Sequence, residues 1–271
     1  EANGQTSASA TGIYLSSTME SGSQLTNSGT ITAEATAVTG EAEAAGVYIY
    51  DMEGASFTNT ETGLITATAS GDSAEATGAL VSGTMDMDST LTNAGTITVL
   101  ATAATESASA WGLYIDGDMQ GTLSNDGTIT VTANGATDAE AYGIDLDDGL
   151  EGTLSNSGIL TVTANGTDDA TAEGITIESS MADGSSLTNS GTISAAANAT
   201  EAGSYAEVRG IYVETMLDAS LTNTEQGTIS AIGSGASGEA TGIEVDAMGA
   251  NSSVVNAGTI TVSMTSSTDE A

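Results

Sequence analysis

The tract Leu25-Thr26-Asn27-Ser28-Gly29-Thr30-Ile31-Thr32 recurs along the chain with small changes, and it decides the fold. Its Asn recurs at intervals of 31 to 34 residues, at Asn27, Asn59, Asn93, Asn125, Asn156, Asn189, Asn223 and Asn256. A Gly followed by an apolar residue recurs at intervals of 31 to 36 residues, at Gly12, Gly46, Gly78, Gly112, Gly143, Gly174, Gly210 and Gly242. A fixed period of about 33 residues with two landmarks in register is the signature of a repeat architecture.

The alternation of residue types within each repeat predicts β-strands rather than helices. Residues 30–35 and 128–133 alternate polar with small or apolar side chains, which is a period of two. The same alternation follows the landmark Gly in Ile13-Tyr14-Leu15, and an alternating stretch such as Ala42-Glu43-Ala44 precedes it. Each repeat is therefore predicted to hold three short strands separated by turns.

The order of residues around Gly46 predicts a corner or a bulge at that position. A straight strand through Gly46 would place Glu43 on the same face as Val47, and burial of an unpaired Glu is costly. A change of direction at the Gly instead turns Ala42 and Ala44 inward and leaves Glu43 outside. Glycine tolerates such a corner, so we name these eight residues the corner Gly residues.

Stacking these units predicts an all-β fold, a parallel β-solenoid (β-helix) of eight coils of about 33 residues with three short strands per coil. We expect one domain over residues 1–271, with the repeats at roughly 7–264 and short terminal tails. The core is expected to be thin, since the chain has one Phe and one Trp. Recurring Met residues are expected to fill gaps in this core. They are Met19, Met52, Met85, Met119, Met181, Met216 and Met248.

The charge balance excludes several classes of partner and site. The 271 residues include 37 acidic residues against one basic residue, Arg209, with no His or Cys, and the net charge is −36. Nucleic acid and anionic membranes are not expected as partners, because no basic patch exists to neutralise phosphates. No apolar run approaches the roughly 18 residues that a membrane-spanning helix needs, so no transmembrane segment is expected.

Catalysis is not expected either, so the chain is predicted not to be an enzyme. A catalytic site needs an asymmetric set of residues in a cleft, whereas these coils stay nearly uniform. Carboxylates are the only candidate bases, and no Lys is present to stabilise developing charge.

The eight Asn residues are predicted to lie at equivalent turns and to stack side chain on side chain. Each amide would bond to the next, which gives a structural Asn ladder that fixes the register of the coils.

An acidic row is predicted on the outside of the solenoid, four residues after the corner Gly in five successive coils. Stacked carboxylates about 5 Å apart repel one another. A bound divalent cation, with Ca²⁺ (calcium) as the candidate cofactor, would reverse that repulsion, and a solvated face screened by salt is the alternative. The candidate metal-binding residues are Asp116, Asp147, Glu178, Glu214 and Asp246.

Two further features face outward by the same parity. Arg209 lies two residues from Glu207 and is expected to form a surface ion pair with it. Tyr side chains two residues after the corner Gly are typical of carbohydrate-binding surfaces, but interruptions in the row favour packing across strands. They are Tyr14, Tyr48, Tyr114 and Tyr212.

The tract Asn-Ser-Gly-Thr-Ile-Thr, followed after a variable loop by Ala-x-Gly-Ile-Tyr, resembles the passenger repeats of autotransporter adhesins and related haemagglutinin-like secreted proteins. The resemblance covers residues 7 to 264. It implies an extracellular or cell-surface location, and a function among adhesins, aggregation factors and plain stalks.

These observations predict a non-enzymatic extracellular structural protein whose molecules stack end to end into a filament or surface fibre. The partner is then a second copy of the chain, added head to tail. Stacking is expected because the first unit begins with the Ala-rich strand at residues 7–10 and the last ends with the strand at 259–264, so neither end has a cap. The alternative is a cell-surface adhesin passenger or glycan-binding module, with glycans or a cell surface as partner.

Overall fold

The computed structural model describes residues 1–182 and 184–266, which form 26 strands and no helix. The strands make three parallel sheets, and each coil of the chain contributes a strand to each sheet in turn. The predicted all-β parallel β-solenoid of about eight coils is therefore confirmed. Within this part of the chain, no helix is available to cross a membrane.

The first sheet, which we name the Gly sheet, contains the corner Gly residues. Its strands are β2 (Ser7–Leu15), β5 (Glu41–Ile49), β8 (Ser73–Val81), β11 (Ala108–Ile115), β14 (Ala139–Leu146), β18 (Asp169–Met181), β21 (Tyr205–Met216) and β24 (Ser237–Met248), and β15 (Gly149–Leu150) pairs with β18.

The Asn sheet consists of short strands that end at the ladder Asn. They are β3 (Gln24–Asn27), β6 (Ser56–Asn59), β9 (Thr90–Asn93), β12 (Thr122–Asn125), β16 (Thr153–Asn156), β19 (Ser186–Asn189), β22 (Ser220–Asn223) and β25 (Ser253–Asn256).

The Thr sheet consists of β1 and of the strands that follow the ladder Asn. They are β1 (Ala2–Gly4), β4 (Thr30–Ala37), β7 (Leu64–Gly71), β10 (Thr96–Ala103), β13 (Thr128–Asn134), β17 (Ile159–Gly166), β20 (Thr192–Ala199), β23 (Thr228–Gly235) and β26 (Thr259–Ser266).

Two of the strands in each coil differ from the prediction. The stretches before and after the corner Gly form one continuous strand, such as β5, rather than two separate strands. The third strand is the four-residue segment that ends at the ladder Asn, such as β6. Four residues are too few to show a clear alternation, so the sequence predicts only a turn at the ladder Asn.

The corner Gly changes which side of the strand faces the core without ending the strand. Along β5, Ala44, Gly46 and Val47 are buried while Glu43 is exposed, so two consecutive residues face inward as the parity predicted. The need for Gly is steric: a Cβ on Gly46 would lie 2.5 Å from the carbonyl oxygen of Gly78. The φ angle of Gly46 is not in the left-handed region, so conformational freedom is not the reason for glycine here.

The core is made of columns that run the length of the solenoid, with one residue from each coil in each column. The Met residues form one such column, in which each residue pairs with its counterpart one coil away. Leu150 takes the place of Met in the fifth coil and completes the column. The column is buried from Met19 to Met216, whereas Met248 in the last coil is 54% exposed. The predicted role of Met as core filling is correct except at that end.

Candidate functional site

The ladder Asn side chains lie in one column at the ends of the Asn-sheet strands, which is buried from Asn27 to Asn223 and exposed at Asn256 in the last coil. Each Nδ2 donates a hydrogen bond to the Oδ1 of the Asn in the next coil, at 2.7 or 2.8 Å, from Asn27 through to Asn256. These bonds satisfy amides that are shielded from water, and all seven of them point the same way along the solenoid. The ladder is therefore a directional structural element that fixes the register between coils.

We expect Asn156→Ala to lower the free energy of unfolding by about 1 to 3 kcal/mol. Asn156 accepts from Asn125 and donates to Asn189, so its loss leaves two buried amides without a partner. Ser157→Ala is the matched control, because Ser157 is exposed and its hydroxyl donates to Asp126 at the surface. Urea unfolding of both variants checks this; a greater loss from Ser157→Ala would show that the ladder is not the stabilising feature.

The predicted acidic row lies outside the Gly sheet, as its parity required. Burial, followed by repulsion from Asp147, raises the pKa of Asp116 and of Glu178. In a later coil, the Tyr212 hydroxyl donates to Asp246 at 3.0 Å. Among residues 1–182 and 184–266, no three acidic side chains converge in a group that could hold a metal ion. The carboxylates form a line of repelling neighbours, and cation binding along it remains a prediction.

Removing divalent cations is expected to lower the melting temperature if Ca²⁺ bridges this line. A ligand that binds only the folded state at 100 times its Kd stabilises by about 2.7 kcal/mol. Melting should be compared in chelator and in Ca²⁺ at matched ionic strength, with Asp147→Asn as the variant that reduces the response. Equal melting temperatures in the two solutions would show that salt screening alone acts on the row.

Arg209 is surrounded by three carboxylates from three successive Gly-sheet strands. Its guanidinium lies 2.6 Å from Glu173 and 2.7 Å from Glu244, and it also contacts Glu207. The expected pair with Glu207 is therefore present as one of three. The guanidinium carbon also lies 4.7 Å from the ring centroid of Tyr212, which is a cation–π contact. Burial opposes the charge of Arg209, but the carboxylates, Glu173 foremost, raise its pKa above the ordinary value.

Glu173 is the buried member of this group, with 4% of its surface exposed. One of its carboxylate oxygens accepts from Arg209 at 2.6 Å, and the other accepts from the Thr176 hydroxyl at 2.5 Å. Both oxygens are thus hydrogen-bonded, which is the condition under which a buried charge is tolerated.

Asp145 is a second buried carboxylate on the same outer face, and it is only partly satisfied. It is 4% exposed; one oxygen accepts from the Trp111 indole N–H at 3.1 Å, and the other oxygen has no hydrogen-bond partner among the residues that the structure describes. Burial, together with repulsion from Glu178 and Glu173, raises the pKa of Asp145 to about 8. Asp145 therefore holds a proton at neutral pH in the folded protein.

Aromatic side chains cover this outer face. The Trp111 ring stacks on Tyr142 and on Tyr114, with centroids 5.8 Å apart in both pairs. These rings and the charged residues beside them form one cluster, which was not recognised in the sequence. The signal that could have found it is a shared position, directly before the corner Gly in four successive strands. The residues paired there are Trp111, Tyr142, Glu173 and Arg209. Because the strand changes phase at the Gly, the position before it and the position two after it both face outward and meet there.

The outward Tyr residues pack on their own neighbours. Tyr14 stacks on Tyr48 with centroids 4.6 Å apart, and the Tyr48 hydroxyl is 2.7 Å from the Ser82 hydroxyl. These contacts are cross-strand packing of the kind that the interrupted row predicts, although Tyr14 in the first coil is 62% exposed. Glycan-array binding that is lost when Tyr114 and Tyr212 are replaced would overturn this interpretation.

Comparison of the chain with protein-family models, with curated proteins and with solved structures gives no match.

Proposed function

We propose that this protein is a non-enzymatic structural subunit whose molecules stack head to tail into a filament. The observation that carries the proposal is the open core at the last coil, formed by β24, β25 and β26. There Met248, Val254 and Val262 are 54%, 37% and 44% exposed. Their partners one coil earlier are fully buried: Met216, Leu221 and Ala231. One further coil of matching pattern would bury these side chains, and the first coil of a second copy has that pattern.

The Asn ladder makes the two ends complementary to each other rather than to themselves. Every Nδ2 in the ladder donates toward the last coil, so within the described residues Asn256 ends the ladder with an unused donor. At the other end, the Oδ1 of Asn27 accepts only the backbone N–H of Gly29, at 3.2 Å, within the same residues. A contact between unlike ends does not close on itself, and it produces an open filament.

Charge opposes this contact and makes it dependent on salt. At −36 per molecule, two copies repel each other at low ionic strength. Added salt shortens the range of that repulsion, and Ca²⁺ would act on the acidic row. Light scattering across a range of salt and Ca²⁺ concentrations is therefore expected to rise with both.

Two variants of equal charge test the contact itself. Val254→Lys places a charge on the open end and is expected to abolish the rise in scattering. Ile159→Lys is the control, because Ile159 is 50% exposed on the side of a middle coil. Both variants reduce the net negative charge equally, so added repulsion cannot explain a difference. Equal scattering from the two variants would show that the open end is not the contact surface.

An extracellular or cell-surface location belongs to the same proposal. It is supported by the resemblance of the repeat to autotransporter adhesin passengers and haemagglutinin-like secreted proteins. Antibodies are expected to label intact cells that produce the protein. Labelling seen only after the cells are broken would contradict the extracellular location and would leave the stacking proposal unaffected.

A further inference from the structure

The shortest strand of the Thr sheet lies on the edge where a second copy would dock. β1 pairs with residues 35–37 of β4, with Ala2 opposite Ala35. Two backbone hydrogen bonds, of 3.0 and 2.8 Å, extend this contact between residues 4–5 and 38–39. β1 therefore covers the C-terminal half of the outer edge of β4, and within the described residues the other half, residues 30–34, has no strand beside it.

The positions of β4 that β1 covers have counterparts in β26, at the other end of the Thr sheet. The strand pairings lead from Ala35 through one residue per coil to Met264 in β26; the residues between are Ala69, Ala101, Ala133, Ala164, Ala197 and Gly233. Ala2 and Met264 thus occupy equivalent positions at the two ends of the solenoid. When two copies stack with their ladders continuous, residues 264–266 of one and residues 2–4 of the other require the same edge of β4.

β1 holds this edge of β4 through fewer contacts than β26 of a second copy would make. It has three residues, and Ala2 is its apolar contact with the core. β26 has eight residues, and the larger side chain of Met264 packs against the core. Burial of Met removes more apolar surface from water than burial of Ala. Residues 259–263 of the incoming β26 can also pair with the open half of β4 before any exchange begins.

We propose that β1 is a displaceable strand, which holds the docking edge of β4 until residues 264–266 of a second copy replace it. This proposal rests on the head-to-tail stacking proposed above. The exchange replaces one set of parallel strand hydrogen bonds by another, as in strand addition to a sheet edge. The net gain comes from residues 259–263 and from the covered core columns, so β1 slows completion of the joint without preventing it.

A disulfide across β1 and β4 tests the exchange. Asn3 and Thr36 are paired opposite each other on the outer side, and the chain has no Cys of its own. Neighbouring strands lie about 4.8 Å apart, within the Cα separation that a disulfide tolerates. Asn3→Cys/Thr36→Cys is expected to stay monomeric when oxidised and to assemble when reduced. Deletion of residues 1–5 is expected to shorten the lag of assembly several-fold.

The control is a disulfide in the middle of the same sheet. Thr68 and Leu100 are paired on its outer side, and Thr68→Cys/Leu100→Cys is expected to assemble in both redox states. If the oxidised Asn3→Cys/Thr36→Cys protein assembles as fast as the reduced protein, strand exchange is wrong and stacking stands. If neither the unaltered chain nor the deletion variant assembles at any salt concentration, the stacking itself is wrong, and strand exchange falls with it.

Discussion

Replacing Arg209 with Met is expected to lower the free energy of unfolding by about 3 to 5 kcal/mol. Met keeps the apolar stem of the side chain but removes the charge, and Glu173 then remains 4% exposed with no cation beside it. Glu207 and Glu244, which Arg209 also holds, would repel each other without it. The loss should shrink on acidification, because burial raises the pKa of Glu207 and its protonation removes part of the uncompensated charge. Urea unfolding at pH 7 and pH 5 measures both effects.

Two further variants separate the buried contact from a surface ion pair. Arg209→Lys keeps the charge without the planar fork that reaches three carboxylates, so an intermediate loss is expected. Combining Arg209→Met with Glu173→Gln is expected to recover much of the stability, because the buried charge is gone. A loss below about 1 kcal/mol for Arg209→Met would mean that the group behaves as an exposed ion pair.

Replacing Asp145 with Asn is expected to remove a large part of the pH dependence of stability. In the folded protein the pKa of Asp145 is about 8, against an ordinary value of 3.8. Between these two values the folded state binds a proton that the unfolded state does not, so stability falls as pH rises. From pH 5 to pH 8 this group alone costs about 3 to 4 kcal/mol. Asn is neutral throughout and can still accept from the Trp111 indole, so Asp145→Asn should be the more stable protein at pH 8.

The control for this comparison is Asp148→Asn, which makes the same substitution at an exposed position three residues away. The unaltered protein and the control both keep Asp145, so both should lose stability between pH 5 and pH 8. Thermal melts from pH 5 to pH 8 should show a flatter curve for Asp145→Asn alone. Parallel curves for the two variants would mean that Asp145 is already ionised at pH 5.

The fold was predictable because the solenoid repeats its own sequence. Columns made of one residue type, such as the ladder Asn, the corner Gly and the Met residues, appear in the chain as a period. The change of phase at Gly46 followed from the cost of burying Glu43. Strand boundaries were less predictable, because the four residues that end at each ladder Asn are too few to show an alternation.

The cluster of side chains around Asp145 and Arg209 was not predictable, because its residues are not repeated from coil to coil. Each member differs from its counterparts in neighbouring coils, so no period marks the cluster; the members are Trp111, Asp145, Glu173 and Arg209. Their contacts join residues 34 to 36 positions apart in the chain, and these residues become neighbours only because strands one coil apart are paired, as Glu173 is with Arg209. Burial of outward positions also depends on long side chains from adjacent coils, which parity alone does not reveal.

Electron cryo-microscopy of the assembled protein tests head-to-tail stacking most directly. Eight coils at about 4.8 Å each predict an axial repeat of about 38 Å per molecule, with the coil spacing unbroken across every joint. All molecules in one filament should point the same way, as the direction of the Asn ladder requires. A protein that remains monomeric at every salt and Ca²⁺ concentration, or filaments in which like ends meet, would contradict the account.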